Sequence, residues 1–363
     1  MAESGVRAWR VIDTGLRPAA QNFALNRALL EARRAGEAPS TLRFLRFLPS
    51  ALLGFHQSAE QELNLEYCRA QGIAVQRRIT GGGAIYFDPG QLGWELYLTK
   101  SDVGSADMSA IARRICEAAA RGISALGVEA RYRPRNDIEV DGRKVSGTGG
   151  AFDGDALMYQ GTLLIEFDVE RMLRVLRIPA EKLSDKAIAS ARERVASLAE
   201  LLGRAPSMTE ARSAIEHALA EEFGVEFRTG ELLPCEEARY ADALAEIDTP
   251  DWVSLVSRPA SELPLRESSR KFAGGLLRAS VAWDQVGNRI RQVWYTGDMF
   301  VNPRRTIADL EAALKDCPAM ELEARVKGFF AGRDVDMLAL TPEDFITVAR
   351  DALQAATPAG VAP

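Results

Sequence analysis

Three consecutive glycines, Gly81–Gly83, constrain the fold of this 363-residue chain more than any other feature. Glycine is favoured where the backbone takes a positive φ or approaches a ligand closely, and it weakens helix and strand interiors. Apolar residues typical of short strands stand on both sides of the run, and Arg77 and Arg78 come just before it. Arginine guanidinium groups suit phosphate and carboxylate. The segment therefore predicts a loop between strands where backbone and guanidinium groups meet an anionic ligand.

Composition and charge exclude several classes of protein. The formal net charge is −6, so the chain has no overall basic character for nucleic acid. No apolar run is long enough to cross a bilayer, and the N-terminus lacks the basic-then-apolar pattern of a signal peptide. The 4 cysteines form no Cys-x-x-Cys pair and the histidines number 2, which argues against a structural zinc site. We therefore predict a cytoplasmic protein that binds neither nucleic acid nor a membrane.

The order of predicted elements indicates an α+β fold. The predicted helices lie at 18–36, 62–72, 106–126, most of 169–222, 305–316, 321–331 and 341–356, and the predicted strands within 41–56, 73–100, 128–166 and a hairpin around Asp284–Asn288. Strands and helices come in runs rather than in strict alternation, which favours α+β over a parallel α/β sheet. A polar stretch at 257–271 is typical of a linker. Length and this break predict two domains, residues 1–256 and 265–363.

A second glycine-rich segment follows a lysine. Asp141-Gly142 predicts a hairpin turn, after which a second strand begins at Arg143-Lys144-Val145 and leads into Ser146–Gly150. A lysine entering a glycine-rich stretch presents its ammonium group with little steric shielding. It can act as a point charge on a phosphate or a developing oxyanion. The alternative is a solvated hairpin lysine. A third segment, residues 181–198, concentrates basic residues and by itself indicates a charged amphipathic helix.

Together and in this order, the segments resemble the lipoate-protein ligase A family, within the wider biotin/lipoate ligase group. Residues 77–84 match the family's Arg-Arg-x-x-Gly-Gly-Gly-Ala signature, and residues 136–147 match its Asn-Asp…Gly-(Arg/Lys)-Lys-(Ile/Val)-Ser-Gly segment. Residues 161–164 match its Gly-Thr-Leu-Leu motif. Residues 182–198 resemble its adenylate-binding stretch, and residues 271–300 resemble its accessory domain. The resemblance covers most of residues 20–256. It implies a class II synthetase or biotinyl/lipoyl protein ligase-like mixed sheet flanked by helices, plus a small α+β C-terminal domain.

The resemblance also implies a reaction. Lipoate and MgATP would give lipoyl-AMP and pyrophosphate, and a lysine of an acceptor protein would then take the lipoyl group and release AMP. ATP and Mg²⁺ are thus the expected co-substrates and lipoate or octanoate the acyl substrate, with no tightly bound prosthetic group. The expected partner is an apo lipoyl domain or an H-protein-like lipoate-binding protein, and the expected oligomeric state is a monomer.

Particular residues receive roles from the same resemblance. Lys144 would be catalytic and bridge the acyl carbonyl and the α-phosphate, while residues 182–192 would close over the adenylate as a lid. The residues implied to bind the acyl substrate and phosphate are Arg77, Arg78, Gly81, Gly82, Gly83, Gln160, Gly161 and Thr162. Those implied to bind the nucleotide are Tyr86, Asp88, Asn136, Asp137, Ser146, Gly147, Lys182, Lys186 and Ser190, with Asp137 also near Mg²⁺.

Two departures from the family pattern leave alternatives open. The family usually has His-Asp where this chain has Phe87-Asp88, and a histidine where it has Gln160, which cannot titrate near neutral pH. One alternative is an ATP-independent octanoyl or lipoyl transferase, for which Cys68 or Cys116 would have to reach the site as a nucleophile. Another is a catalytically silent acyl-binding protein. A biotin ligase is disfavoured because its Gly-Arg-Gly-Arg-type loop is absent.

Overall fold

The computed structural model describes residues 7–134, 136–177, 185–257, 259 and 261–355, without the side chains of 185–187. The described residues form two compact units, each assembled from separate stretches of chain. The first unit draws on Met1–Leu52, Asn64–Gln76 and Ile85–Trp252, and the second on Leu53–Leu63, Arg77–Ala84 and Val253–Pro363. The glycine loop is therefore part of the second unit. The division into domains 1–256 and 265–363 stays a prediction.

A mixed eight-stranded sheet forms the frame of the first unit. The strands up to residue 229 are β1 Arg7–Arg17, β2 Thr41–Phe47, β3 Ser50–Leu53, β4 Ala74–Arg77, β5 Ile85–Phe87, β6 Gln91–Thr99, β7 Ala130–Arg133, β8 Asp137–Val140, β9 Arg143–Asp153, β10 Ala156–Leu164 and β11 Val225–Thr229. The large sheet has the order β11-β1-β2-β6-β10-β9-β8-β7. Strand β1 is parallel to β2 and β11, and the other pairs are antiparallel.

Strands β4, β3 and β5 form a small separate sheet with β3 in the middle. The glycine loop thus joins the two edge strands of this sheet and is not the tip of a hairpin. The predicted Asp141-Gly142 turn is confirmed, because it joins the antiparallel strands β8 and β9 with φ angles of 51° and 77°. Positive φ at both central residues is what a tight hairpin turn of this type requires.

Helices lie along the faces of the large sheet. The helices up to residue 253 are α1 Ala19–Arg34, α2 Ala59–Glu62, α3 Leu65–Ala70, α4 Lys100–Val103, α5 Met108–Ser124, α6 Val169–Val175, α7 Asp185–Arg192, α8 Leu198–Leu202, α9 Met208–Phe223, α10 Pro234–Ile247 and α11 Pro250–Val253. Asp107 is the N-cap of helix α5, and its carboxylate accepts the Ser109 N–H. The helix buries Ile111 and Ile115 in the apolar core that also contains Trp94.

The other face of the sheet carries a buried ion pair beneath α1. Arg43 on β2 is directly opposite Glu95 on β6, and its guanidinium donates to that carboxylate at 3.0 Å. Asn26 and Tyr97 also donate to Glu95. Because side chains alternate along a strand, Trp94 belongs to the apolar core on the α5 side. The two faces are therefore chemically distinct: the α5 side is apolar, and the other side, here called the polar face, carries buried charged and polar side chains among its apolar ones.

The second unit is built mainly from residues 265–355. Its elements are β12 Leu265–Phe272, β13 Gly275–Asp284, β14 Arg289–Gly297, β15 Val301–Asn302, β16 Cys317–Pro318, β17 Asp336–Met337, α12 Thr306–Ala313, a 3₁₀ turn Ala319–Glu321, α13 Leu322–Phe330 and α14 Pro342–Gln354. The antiparallel sheet has the order β12-β13-β14-β16. Strands β13 and β14 confirm the hairpin around Asp284–Asn288. The linker predicted at 257–271 is wrong from Leu265 onward, because those residues form the edge strand β12, whose exposed positions favour polar side chains.

The α+β fold class is confirmed. No helix in the described part of the chain is long and apolar enough to cross a membrane. Sequence reasoning missed β1, β11 and α10. Strand β1 pairs in parallel with β2 and β11, at residues far away along the chain. Local patterns carry little signal for such pairing.

A buried glutamate makes the stability of the second unit depend on pH. Glu311 accepts the Tyr295 N–H at 2.7 Å, on an edge of β14 that β16 covers only at residues 289–290. Burial raises the pKa of Glu311 from 4.5 to about 7, against the opposing effect of this hydrogen bond.

We therefore expect the contribution of Glu311 to stability to fall as pH rises from about 4.5 to about 7. The lowered pKa of His56 acts in the opposite direction over much of this range, so the comparison is between the wild type and a variant at position 311. In this window the unfolded chain releases the proton of Glu311 and the folded chain keeps it. Glu311→Gln should remove this contribution. At pH 7.5 its free energy of unfolding should exceed that of the wild type by about 2–3 kcal/mol. Urea unfolding of both proteins at pH 4.5, 6 and 7.5 measures the difference. Parallel pH profiles would contradict the prediction.

Candidate active site

Lys144 lies in a bulged stretch of β9. The register between β8 and β9 shifts between residues 138 and 139, which leaves Val145 as an extra residue. Without the shift, Lys144 and Gly147 would point to opposite faces of the sheet, because they are three residues apart. With it, an added Cβ on Gly147 would lie 2.6 Å from Lys144 Nζ, so the lysine runs across the glycine. Gly147 therefore makes room for the lysine, and Asp137 lies directly opposite that glycine.

The Lys144 ammonium group is paired with a carboxylate. Its Nζ lies 2.7 Å from Asp137 Oδ1, and Arg133 donates to Asp137 Oδ2 at 2.6 Å and to Glu139 at 3.2 Å. Burial disfavours the ionised carboxylate, but the two cations outweigh it and hold the pKa of Asp137 below its ordinary value. The lysine side chain is 36% exposed and so can meet an incoming anion. The four groups have two positive and two negative charges and sum to zero.

Arg133 is a site residue that sequence reasoning missed. It is directly opposite Asp137 across β7 and β8, and its guanidinium binds both carboxylates of β8 on this face. The available signal was the run of basic residues before Asn136, which alternates along a strand. That run showed local positive charge without showing which arginine pairs with Asp137.

Thr162 completes this face of the sheet. The Gly147 amide donates to Thr162 Oγ1 at 3.2 Å, and the threonine hydroxyl is 3.4 Å from the Gly147 carbonyl oxygen. Gln160, two residues earlier on β10, has the same orientation and is half-buried. The structure thus brings together Lys144, Asp137, Gly147 and Thr162, with Gln160 further along the strand.

Ser146 and Gly161 lie on the opposite, core-facing side of these strands. Ser146 is directly opposite Ile138, a fully buried core residue, and its Oγ makes no hydrogen bond to any residue that the structure describes. An added Cβ on Gly161 would lie 2.7 Å from Trp94 Nε1 and closer still to two ring carbons. Gly161 therefore has a packing role. Its predicted role in acyl binding, and that of Ser146 in nucleotide binding, stay predictions.

Asn136 fastens the turn before Asp137 to the neighbouring strand. Its side-chain amide donates to the Thr148 carbonyl at 2.8 Å, and its own carbonyl accepts the Thr148 N–H at 2.7 Å and hydroxyl at 2.9 Å. The side chain and the backbone carbonyl of Asn136 are thereby both fixed. The residue that follows, Asp137, gains a defined position opposite Gly147.

The two departures from the family pattern differ in kind. Phe87 is 2% exposed and its ring centroid is 4.6 Å from that of Phe47, so it belongs to an aromatic cluster in the core. Gln160, in contrast, lies on the face that carries Lys144.

Tyr86 and Asp88, on either side of Phe87, have local partners. The Asp88 carboxylate accepts the Gly90 N–H, and the Arg171 guanidinium carbon lies 5.9 Å from the centroid of the buried Tyr86 ring. Burial, reinforced by Asp88, raises the pKa of Tyr86.

The predicted lid is joined to the strand of Lys144. The Lys144 N–H donates to the Arg194 carbonyl at 2.8 Å, and the Ala196 N–H donates to the Lys144 carbonyl at 3.0 Å. Helix α7 ends shortly before this junction. Ser190, within α7, is half-buried. Lys182 and the side chain of Lys186 lie outside the described residues.

The two arginines before the glycine loop have different surroundings within the second unit. The Arg77 guanidinium, 0% exposed, donates to the carbonyls of Gly54, Phe55, Gln57, Val253 and Val256 at 2.6–3.1 Å. Arg78 donates to the Gly81 and Gly83 carbonyls at 3.1 and 2.9 Å, so the loop wraps around it. Burial lowers the pKa of both to about 10, which leaves them charged at neutral pH. Direct substrate contacts by these residues stay predictions.

Two buried cysteines and one buried histidine are poorly suited to nucleophilic or metal chemistry. Cys68 and Cys116 are 1% and 0% exposed, and burial raises the pKa of both thiols. His56 is also buried, and burial with nearby Arg77 lowers its pKa to about 4. Within the described residues, no group of three or more His, Cys, Asp or Glu side chains is placed to hold a metal ion.

Comparisons with known proteins agree with this fold. Residues 18–220 match the model of the lipoyl protein ligase A/B catalytic domain. Among curated relatives, lipoate-protein ligase A subunit 1 of Thermoplasma acidophilum is 30% identical over 60% of this chain and 84% of its own. The octanoyltransferase LipM of Symbiobacterium thermophilum is 31% identical over 66% of this chain and 94% of its own. Lipoate–protein ligase 1 of Staphylococcus aureus is 29% identical over 82% of this chain and 86% of its own.

Solved structures give the same class. The bipartite lipoate protein ligase of T. acidophilum has a TM-score of 0.61 at 29% identity, covering 70% of this chain and all of its own. LipL1 of Plasmodium falciparum, 15% identical, shares the fold over 95% of this chain and 99% of its own with a TM-score of 0.70. The mixed sheet with helices on its faces is thus the fold of lipoate ligases. The chain belongs to the lipoyl protein ligase A/B catalytic domain family.

Proposed function

We propose that this protein is an ATP-dependent lipoate-protein ligase. In the first half-reaction a carboxylate oxygen of lipoate attacks the α-phosphorus of MgATP, forming an acyl–phosphate bond as pyrophosphate leaves. In the second, the amine of an acceptor lysine attacks the acyl carbonyl, the bond to AMP breaks and the amine loses a proton. The observation that carries the proposal is the partly exposed Lys144 side chain, whose ammonium group lies beside Asp137 and Gly147 on the polar face of the sheet.

Lys144 is suited to both steps because each develops negative charge near the acyl–phosphate oxygens. A fixed ammonium group stabilises such charge without reorganisation at the moment of reaction. Gly147 lets the lysine lie flat on the strand, and Asp137 holds its ammonium group in place. Because Arg133 binds the other oxygen of Asp137, the carboxylate that holds Lys144 is itself held in one orientation.

The charge balance of the site explains why the nucleotide would enter as MgATP. Arg133 and Lys144 are already matched by Asp137 and Glu139, so they supply no excess positive charge for a triphosphate. Asp137 offers one carboxylate, which suits a Mg²⁺ ion held mainly by phosphate oxygens and water. The metal would therefore come with the nucleotide, where it neutralises phosphate charge.

The second candidate is an ATP-independent transferase, since some relatives carry the name octanoyltransferase. That chemistry needs a reactive thiolate. Burial opposes ionisation of both Cys68 and Cys116. In addition, Cys116 Sγ lies 3.2 Å from both the Thr148 and the Tyr159 hydroxyl groups inside the core. These surroundings favour the ligase.

The proposed acceptor is a lipoyl domain. The related T. acidophilum ligase is described as part of a lipoylation system with its E2 lipoyl domain. An H-protein-like acceptor is a variant of the same proposal, because both would present a lysine amine. The proposed oligomeric state is a monomer.

The test follows the mass of apo acceptor domains incubated with the protein, lipoate and MgATP. We expect a mass gain that requires ATP and is accompanied by AMP. Single Cys68→Ser and Cys116→Ser variants should keep activity within about twofold, because neither thiol takes part in the chemistry. Acyl transfer from an octanoylated carrier without ATP, abolished by either cysteine variant, would overturn the ligase in favour of the transferase. Lipoate binding with neither activity would favour the silent acyl-binding protein.

A further inference from the structure

The triple-glycine loop is covered by residues of its own unit. The Gly82 N–H donates to the Met299 carbonyl at 3.3 Å, and Gly82 has a φ of +93°. An added Cβ on Gly82 would lie 2.8 Å from Cζ of Phe300. One on Gly81 would lie 3.0 Å from the Phe300 Cα and closer still to the Met299 carbonyl oxygen. The segment 298–300 therefore runs in close contact with these glycines, which is one physical reason that they carry no side chain.

The other side of the loop is also filled, but by groups that cannot easily move. An added Cβ on Gly54 would lie 2.9 Å from the Gly82 carbonyl carbon, so backbone packs on backbone there. The Arg78 side chain is 7% exposed and holds the Gly81 and Gly83 carbonyls. Phe300, in contrast, is only half-buried. Its ring can leave Gly82 by rotation about its own side-chain bonds.

We propose that Phe300 and the acyl chain of the substrate compete for the same face of the triple-glycine loop. The size of the side chain at position 300 then sets the affinity for the acyl substrate. This inference rests on the proposed function, in which the glycines lie against a lipoyl or octanoyl chain. An acyl chain that reaches Gly82 has to displace the Phe300 ring, and part of its binding free energy is used to expose that ring. A smaller side chain removes this requirement and a larger one increases it.

The experiment measures the dissociation constants of lipoate and octanoate by titration calorimetry with the full chain. We expect Phe300→Ala to bind both acids about 10-fold more tightly than the wild type, and Phe300→Trp about 10-fold more weakly. Phe300→Leu keeps an apolar group on the loop if alanine impairs folding, and it should lie between alanine and wild type. Phe272→Ala is the matched control, because this half-buried phenylalanine packs against the core of the same unit.

The outcomes separate this inference from the proposed function. Unchanged or weaker acyl binding by Phe300→Ala and Phe300→Leu, with normal binding by the wild type, would overturn the competition alone. If the wild type bound the acids but formed no lipoyl-AMP with ATP, the proposed ligase activity would be wrong. The competition would then be decided by the dissociation constants of the Phe300 variants alone. If the wild type bound neither acid, both would fail.

Discussion

Replacing Lys144 with alanine is expected to lower the rate of lipoyl transfer by about 10²–10³-fold or more. The substitution removes the positive charge next to the acyl–phosphate oxygens in both half-reactions. It should leave folding almost unchanged, because the side chain is 36% exposed and Asp137 keeps its ion pair with Arg133. Release of pyrophosphate reports the first step, and the mass of the acceptor reports the second. Both rates should fall, with the unfolding transition in its original place.

Two further variants define what Lys144 contributes. Arg143→Ala is the matched control. Arg143 is next to Lys144 on the same strand but pairs with Glu200, so we expect this variant to keep nearly full activity. Lys144→Arg keeps the charge but replaces a compact ammonium group with a planar one, so it should recover only part of the rate. Equal losses in the Lys144 and Arg143 alanine variants would show that positive charge in this region, rather than the position of Lys144, supports the reaction.

The arrangement around Lys144 was predictable from the sequence because it is local. Asp137, Lys144 and Gly147 lie on two strands joined by a two-residue turn, and the Asp141-Gly142 signal is among the strongest for a hairpin. What the pattern could not show was the face that each side chain occupies. The extra residue Val145 reverses the alternation, so Gly147 joins Lys144 and Ser146 does not.

The surroundings of the glycine loop were not predictable in the same way. Gly82 and Phe300 are more than two hundred residues apart, and no periodicity links a loop with a distant segment of chain. Likewise, the sequence shows that Arg77 and Arg78 are adjacent and cationic, but not that five carbonyls surround the first of them. Buried hydrogen-bond partners are set by tertiary packing, which single-sequence patterns do not encode.

The Gly161-Thr162 pair shows how one short motif serves two purposes. Successive residues of a strand face opposite sides of a sheet. Thr162 therefore reaches Gly147 on the polar face, while Gly161 meets the Trp94 indole in the core. A sequence match cannot separate these two environments, because both residues belong to the same short motif. The difference is measurable, since packing at Gly161 affects stability, whereas Thr162 lies on the face where we propose that substrate binds.

Gly161→Ala is accordingly expected to destabilise the protein by about 3 kcal/mol. The added methyl group would lie 2.7 Å from Trp94 Nε1 and closer still to two ring carbons, and Trp94 is 0% exposed and cannot swing outward. Urea unfolding measures the loss. Gly328→Ala is the matched control, because an added Cβ there meets nothing within 4 Å and the position is helical. That variant should be neutral or slightly stabilised.

A double-mutant cycle with Trp94→Phe tests the cause of this loss. Phenylalanine lacks the indole atoms that the new methyl group would strike, so alanine at 161 should cost about 1–3 kcal/mol less in that background. Coupling of this size would establish that Gly161 is required by the packing of Trp94. If the two substitutions were additive, and Gly161→Ala instead raised the KM for lipoate without a change in stability, the glycine would belong to the substrate site and the packing role would be wrong.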